Sequence, residues 1–365
     1  MPQLNKSTFN KAKKRNSTSV WKGPYSRDGQ GGVTQSMLGG FLVCRERFRI
    51  RYIEGMGHGD KFFAAIEYGN FWHICEEFYE DDWKTKLQEE VKGCMKKYPL
   101  QQEEIKKWWK VCLNTFPIYR KFWEKHKDDK GQKTLLPEVS FKVPYELPSG
   151  RVVILRGKWD RVVSLQKKIW LGEHKSKGTV DEEALSQQLS FDMQTLIYLT
   201  TLDIYMTSLN KPYEIGGVLY NVVRRPLAGG KGSIRQRKPT KTKPGETDDE
   251  YYGRLSEIIR AEPEEFFMRW KVDIDRKDLD RFQTNFLNPQ LEQLCDWWEW
   301  IEANISDPFA NGNKIHWRHP YGIYNPLTTG RGTTDLDAYL LNGNSVGLVR
   351  SDKLFGELDD NEVSV

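Results

Sequence analysis

Cysteine is scarce and unpatterned. Cys44, Cys75, Cys94, Cys112 and Cys295 form no CxxC pair and no disulfide framework. Free thiols in a reducing compartment are the expectation. Long apolar runs are missing as well, and no stretch approaches the roughly 18 residues of a membrane span. The N-terminal MPQLNKSTFNKAKKRNS is basic and polar and lacks the apolar core of a secretory signal. A soluble, cytoplasmic protein with no membrane partner is therefore expected. No internal repeat appears, which argues against a solenoid. A strong charge of one sign is also absent. The net charge of +5 permits an anionic partner without requiring one.

Aromatic residues are plentiful: 13% of the 365 residues, including 13 Trp, with 29% charged residues. That composition is globular, and the length suffices for one elaborated domain or two. Residues 1–35, rich in Lys, Ser, Gly and Gln, read as a mobile basic arm. An apolar and basic stretch, MLGGFLVCRERFRIRY, follows over 37–52. The spacing of Phe62, Ile66, Cys75, Phe78 and Tyr79 predicts a helix over 61–83. A second helix is expected over 101–127, with its aromatics (Trp108 to Trp123) in the core.

The pattern then turns to strands. LLPEVSFKVPYEL (135–147) reads as one strand, Pro148-Ser149-Gly150 as a turn, and RVVILR (151–156) and KIWLGEH (168–174) as two more strands. Together they suggest an antiparallel meander. A helix over 181–209 opens on Asp181, Glu182 and Glu183, which suit a helix N-terminus. IGGVLYNVV (215–223) is a buried strand. From 224 to 245 the chain carries Arg224, Arg225, Lys231, Arg235, Arg237, Lys238, Lys241 and Lys243 with no acid, and its Gly and Pro make it a loop. Helices over 248–260 and 277–303 follow, with a short strand between them. The last sixty residues show little period.

Chemistry concentrates in Gly157-Lys158-Trp159-Asp160 and Gly172-Glu173-His174-Lys175. Residues two apart on a strand share a face, so Glu173 and Lys175 project together while His174 points away. A hairpin would bring Asp160 to Glu173. Adjacent carboxylates repel unless a cation lies between them. Hard divalent ions such as Mg²⁺ favour such oxygen ligands. A lysine beside the ion can orient water and offset charge on a phosphate. The same residues also have a plainer reading, since an ExK on a strand is often a solvated ion pair. Glu138 is a further acid that could face the site or pair with a base.

The run RGKWDRVVSLQKKIWLGEHKSK resembles the core of the PD-(D/E)XK nuclease superfamily, in particular its RecB-like branch, marked by GxxD, a hairpin and (D/E)xK. Two further marks of that branch stand in order: Gly69 with His73 upstream in YGNFWHICEEFYE, and Gln194 with Tyr198 as QxxxY downstream. The 37–55 stretch is similar to the family's lead-in. The resemblance spans about 37–223, and the whole chain resembles phage-encoded members. It implies an α/β, restriction-endonuclease-like core: a small mixed sheet flanked by helices, with a helical N-terminal insertion and a C-terminal extension. It further implies Asp160 and Glu173 as metal ligands, the His174 backbone carbonyl as a third and His73 as another, with Mg²⁺ or Mn²⁺ as the ion. Lys175 would position the attacking water, and Gln194 and Tyr198 would stand at the site. From the residues alone, Gln187, Gln194 and Tyr198 form a stripe that a solvated helix face would also show. His73, in line with Phe62 and Ile66, could equally be a packed histidine.

Some relatives bind an iron–sulfur cluster through one early and three late cysteines. Only Cys44 and Cys295 stand near such positions, so no cluster is expected. The basic loop suits DNA phosphates, although a merely soluble loop has the same composition. The resulting expectation is a nuclease domain over 36–275, with the insertion at about 84–130 and the loop at 224–245, and an extension over 276–365. Its activity would be metal-dependent DNA hydrolysis, exonucleolytic in recombination, repair or phage DNA processing, with a recombination or replication protein as an expected partner. A structure-selective or single-strand endonuclease, and a non-catalytic DNA-binding protein, are the alternatives.

Overall fold

Strands after residue 131, joined by the short edge segment Val33–Thr34, build two small mixed sheets, and helices cover them. The computed structural model describes residues 19–57, 62–126, 131–210, 212–227, 233–304, 349–358 and 362–364. Its principal helices before the strands are α1 (Gln35–Val43), α2 (Ala64–Glu77), α3 (Trp83–Lys97) and α4 (Gln102–Lys125). Strands β1 (Lys133–Leu136), β2 (Val139–Glu146), β3 (Val152–Trp159), β4 (Arg161–Leu165) and β5 (Lys168–Lys177) follow. Then come α5 (Glu182–Ser190), α6 (Met193–Ser208), β6 (Ile215–Arg224), α7 (Asp248–Ala261), β7 (Phe267–Asp273), α8 (Arg276–Phe282) and α9 (Asn288–Asn304).

The five-stranded sheet has the order β1-β4-β5-β6-β7. Only β5 and β6 run parallel, joined through α5 and α6; the other neighbours are antiparallel. The second sheet places β3 and β2 between the short segments Val33–Thr34 and Glu362–Ser364. The expected mixed α/β core is therefore present, as two sheets. Asp160 is the single residue between β3 and β4, so it stands where the chain passes from one sheet to the other. Strand β5 is buried on both faces from Ile169 to Glu173, which explains its unbroken apolar run.

Several expected elements divide differently. The 135–147 strand breaks at Pro137 and Glu138, and its halves join different sheets. Proline has no N–H for the ladder, so a break there is natural. The expected 61–83 helix ends at Glu77. A new helix starts at Trp83, where the Asp82 carboxylate accepts the Thr85 N–H at 3.3 Å. The 181–209 helix breaks at Phe191 and Asp192. That moves Gln187 onto a separate helix, exposed and off the face shared by Gln194 and Tyr198. Strand β6 extends to Arg224, so this residue is not in the loop. It pairs with Glu265 at 3.4 Å and lies over the Phe266 ring.

The expected arm is in part packed. Residues 1–18 lie outside the described residues, but Trp21 is fully buried and donates from Nε1 to Gly32 O at 2.7 Å. Its ring lies 4.7 Å from that of Trp298 on α9, in a core shared with Phe41, Phe48 and Trp297. Arg151 ties β3 to the same helix through Glu292, Asp296 and Glu299. A second core joins α2, α3, α4 and α7, and a third lies beneath α6 on the sheet. Among the described residues no helix is long and apolar enough to cross a membrane.

Candidate active site

The β4–β5 hairpin does the first work of assembly. Its turn, Gln166 and Lys167, takes positive φ at both residues (53° and 66°), the twist that two-residue hairpins favour. Register follows, with Arg161 opposite Gly172. Asp160 then lies beside the start of the ExK segment, and its Oδ2 accepts the His174 N–H at 2.9 Å. Strand parity places Glu173 and Lys175 together: Nζ donates to Glu173 Oε1 at 2.6 Å. Gln194, in the first turn of α6, closes the set. Its Oε1 accepts from Lys175 at 3.0 Å and its Nε2 donates to Glu173 Oε1 at 2.9 Å.

The ammonium and both acids feel this enclosure. Burial raises Asp160 to about 6. Burial and then the Asp160 charge hold Glu173 well above the ordinary carboxylate range, with Lys175 opposing. Lys175 is itself held above its ordinary value: burial works against its charge, and Glu173 outweighs that loss. Glu173 is 2% exposed, and its Oε2 is buried without a hydrogen-bond partner. An orphaned buried carboxylate oxygen is costly. Next to a second carboxylate, it is the kind of donor that a hard cation satisfies.

His73 joins this group. Its Nδ1 lies 3.9 Å from Asp160 Oδ2, and burial lowers its pKa, which favours the neutral, ligating form. It is not packed away as its alignment with Ile66 also allowed. Ile66 is itself 58% exposed, and the His73 side chain keeps a third of its surface accessible. Among the described residues no three His, Cys, Asp or Glu side chains form a ready-made ligand cluster. The oxygens of Asp160 and Glu173 with the His73 imidazole nevertheless make a donor set suited to Mg²⁺ or Mn²⁺. Tyr198 is a wall of the site, beside Gln194 and the Lys158 backbone, and burial raises its pKa strongly. Glu138 pairs with Lys158 and does not enter the acidic pair.

The glycine of GxxD has a steric reason. A Cβ on Gly157 would lie 2.6 Å from Phe141 Cζ and 2.8 Å from Tyr198 Cε1. Gly157→Ala is therefore expected to destabilise the protein by about 1–3 kcal/mol and to push Tyr198 from its seat. Urea unfolding would read this, and a midpoint equal to the parent's would refute the packing argument.

Behind the ExK strand lies a polar network that motif reading missed. Asn221 Nδ2 donates to Glu76 Oε1 at 2.9 Å, contacts His174 Nδ1 at 3.0 Å and also meets the Tyr119 hydroxyl. Trp72 Nε1 donates to Glu76 at 3.1 Å. The His174 imidazole thus points away from the acids, as strand parity requires, but into partners that fix it. Burial keeps it neutral. A sequence signal existed: Asn221 is the polar exception in an apolar strand, and a buried Asn needs partners.

The chain matches the sequence model of the PD-(D/E)XK nuclease superfamily over residues 33–299, far more than half its length. It belongs to that superfamily. Comparison with curated proteins finds no match. The superfamily match begins at Val33, on the edge of the four-stranded sheet, and ends within α9. It therefore takes in the five-stranded sheet, the second sheet apart from its edge segment Glu362–Ser364, helices α1 to α4 and the helix that packs on Trp21. Superfamily membership makes the chain a nuclease, with nucleic acid as its partner, in a superfamily that generally uses divalent metal ions.

The basic segment is less free than its composition suggests. Arg225 donates from Nη1 to Ser176 O at 3.0 Å, which ties the loop root to β5 one residue beyond Lys175. Ile234 is buried, and Arg254 holds Glu246 at the far end. Between these anchors Arg235, Arg237, Lys238, Lys241 and Lys243 are exposed. Lys231 lies outside the described residues.

Proposed function

We propose that this nuclease hydrolyses DNA phosphodiesters with Mg²⁺ or Mn²⁺, working from strand ends as a RecB-like member of its superfamily. The convergence of Asp160, Glu173, Lys175 and Gln194 carries the reading. Asp160, Glu173, the His174 main-chain carbonyl and His73 would hold the ion. When bound, such an ion offsets phosphate charge and makes water more acidic.

The protein's own residues do the rest. An ammonium has three N–H donors. Glu173 and Gln194 engage Lys175 from one side, which leaves a donor for the attacking water or a phosphate oxygen. Gln194 bonds both partners, so it fixes their spacing before substrate arrives. Tyr198 closes the wall against water. The His174 N–H holds Asp160, and the network around Asn221 holds His174. The exposed cations of 235–243 would grip phosphates without reading sequence, and affinity should fall steeply with salt. GxxxH and QxxxY both stand at the site, which supports the RecB-like assignment and, with it, work in recombination, repair or phage DNA processing.

End-labelled linear DNA and a closed circle of the same sequence test this. The expected result is loss of the linear form with Mg²⁺ or Mn²⁺, survival of the circle, and no loss with chelator. Cutting of the circle would favour an endonuclease. No cutting with either ion would defeat the proposal.

A further inference from the structure

Apolar side chains stand in water at the edge of this site. Phe191, at the joint between α5 and α6, is 83% exposed. The joint adjoins the chemistry. Asp192 lies within electrostatic reach of Lys175, and Gln194 touches both Glu173 and Lys175. Hydrogen bonds hold the joint in place. The Phe191 N–H donates to Gln188 O at 3.2 Å, and Asp192 O accepts from Thr195 Oγ1 at 3.0 Å and from the Leu196 N–H at 3.1 Å.

A second element contributes Ile66, 58% exposed on α2. It shares a helix face with Gly69 and His73, at spacings of three and seven residues. That face runs against the site: a Cβ on Gly69 would be 3.4 Å from Ser176 Oγ, and His73 approaches Asp160. One exposed apolar side chain is ordinary on a protein surface. Here one such side chain stands on the helix that supplies His73 to the site, and the other at the joint before the helix that supplies Gln194.

The largest apolar surface of the substrate held there is the faces of its bases. A duplex hides those faces in its stack, whereas an unpaired strand offers them to aromatic and aliphatic side chains. We infer that Phe191, assisted by Ile66, stacks on unpaired bases next to the scissile phosphate, so that the site takes single-stranded DNA in preference to closed duplex. The inference rests on the DNA-nuclease reading and deepens it. Exposed cations of the 235–243 segment would hold the backbone while Phe191 selects for unpaired bases.

Fluorescence anisotropy in chelator, with labelled oligothymidine and a hairpin-closed duplex, tests it on the full chain. The parent should bind the single strand more tightly. Phe191→Ala should weaken that binding about tenfold and leave duplex binding unchanged, while Phe191→Trp keeps it. Equal parental affinity for both DNAs, or an unaltered single-strand affinity in Phe191→Ala, would overturn the inference, as would an equal loss on both. Because binding is read without cleavage, the two readings separate. A parent that discriminates but never cuts with Mg²⁺ or Mn²⁺ sinks the nuclease mechanism and upholds the stacking. A parent that cuts while Phe191→Ala binds normally sinks the stacking alone.

Discussion

Asp160→Asn should lower DNA cleavage by roughly 10³-fold or more and yet raise the thermal midpoint of the metal-free protein at pH 8. The carboxylate is buried beside Glu173, and burial raises it from an ordinary 3.8 to about 6. An acid that ionises later in the folded state than in the unfolded chain favours folding only while protonated. Its contribution is complete below about pH 4 and lost as pH rises through about 6. Above that, the native state carries a desolvated charge that also repels Glu173. Asparagine has nearly the same shape, and its carbonyl oxygen can still accept the His174 N–H, but it cannot ionise. The gain should be on the order of 1–3 kcal/mol at pH 8 and should vanish near pH 4. Added Mn²⁺ should raise the parent's midpoint and leave the variant's nearly unchanged. Thermal scans at both pH values, with and without Mn²⁺, would read this. A lower midpoint for the variant at pH 8 would show that Asp160 is a structural anchor and not a site that sacrifices stability for binding.

What the sequence disclosed divides by distance along the chain. Asp160, Glu173 and Lys175 were legible because one hairpin and strand parity join them, and both are local rules. QxxxY was legible in the same way, as one helical turn. The β4 strand itself was not foreseen, since its turn uses Gln166 and Lys167 at positive φ where Asn-Gly would have announced it. The rear network was hidden for another reason. Asn221 meets Glu76 across 145 positions and Tyr119 across 102, and no periodicity encodes such a pairing. Trp21 shows the weakness of composition as a guide. Its polar surroundings suggested a free arm, but a single indole found Phe48 and Trp298 and fixed the segment. Pro137 and Asp82, by contrast, were readable breaks that apolar periodicity outweighed.

Lys175→Ala should reduce cleavage by roughly 10²–10³-fold and, independently, shift divalent-ion binding to higher pH. Lys175 is the nearest cation to Glu173, 2.6 Å away, and it opposes the burial that raises that acid. Without the ammonium, Gln194 Nε2 is the remaining donor shown on Glu173. A buried carboxyl in that setting keeps its proton instead of remaining as an uncompensated charge. An ion can then bind only by displacing the proton, so its affinity keeps rising to a higher pH than in the parent. Folding should suffer little, because the protonated acid is neutral and the lost side chain is part exposed. Lys175→Arg should restore part of the binding profile but little of the rate, since a planar guanidinium cannot occupy the slot between Glu173 and Gln194 as a compact ammonium does. Calorimetric Mn²⁺ titrations at pH 6 and pH 8 separate the two roles. If the alanine variant binds Mn²⁺ with the parent's pH profile and still loses cleavage, Lys175 serves the substrate alone. If cleavage survives, a different group handles the attacking water.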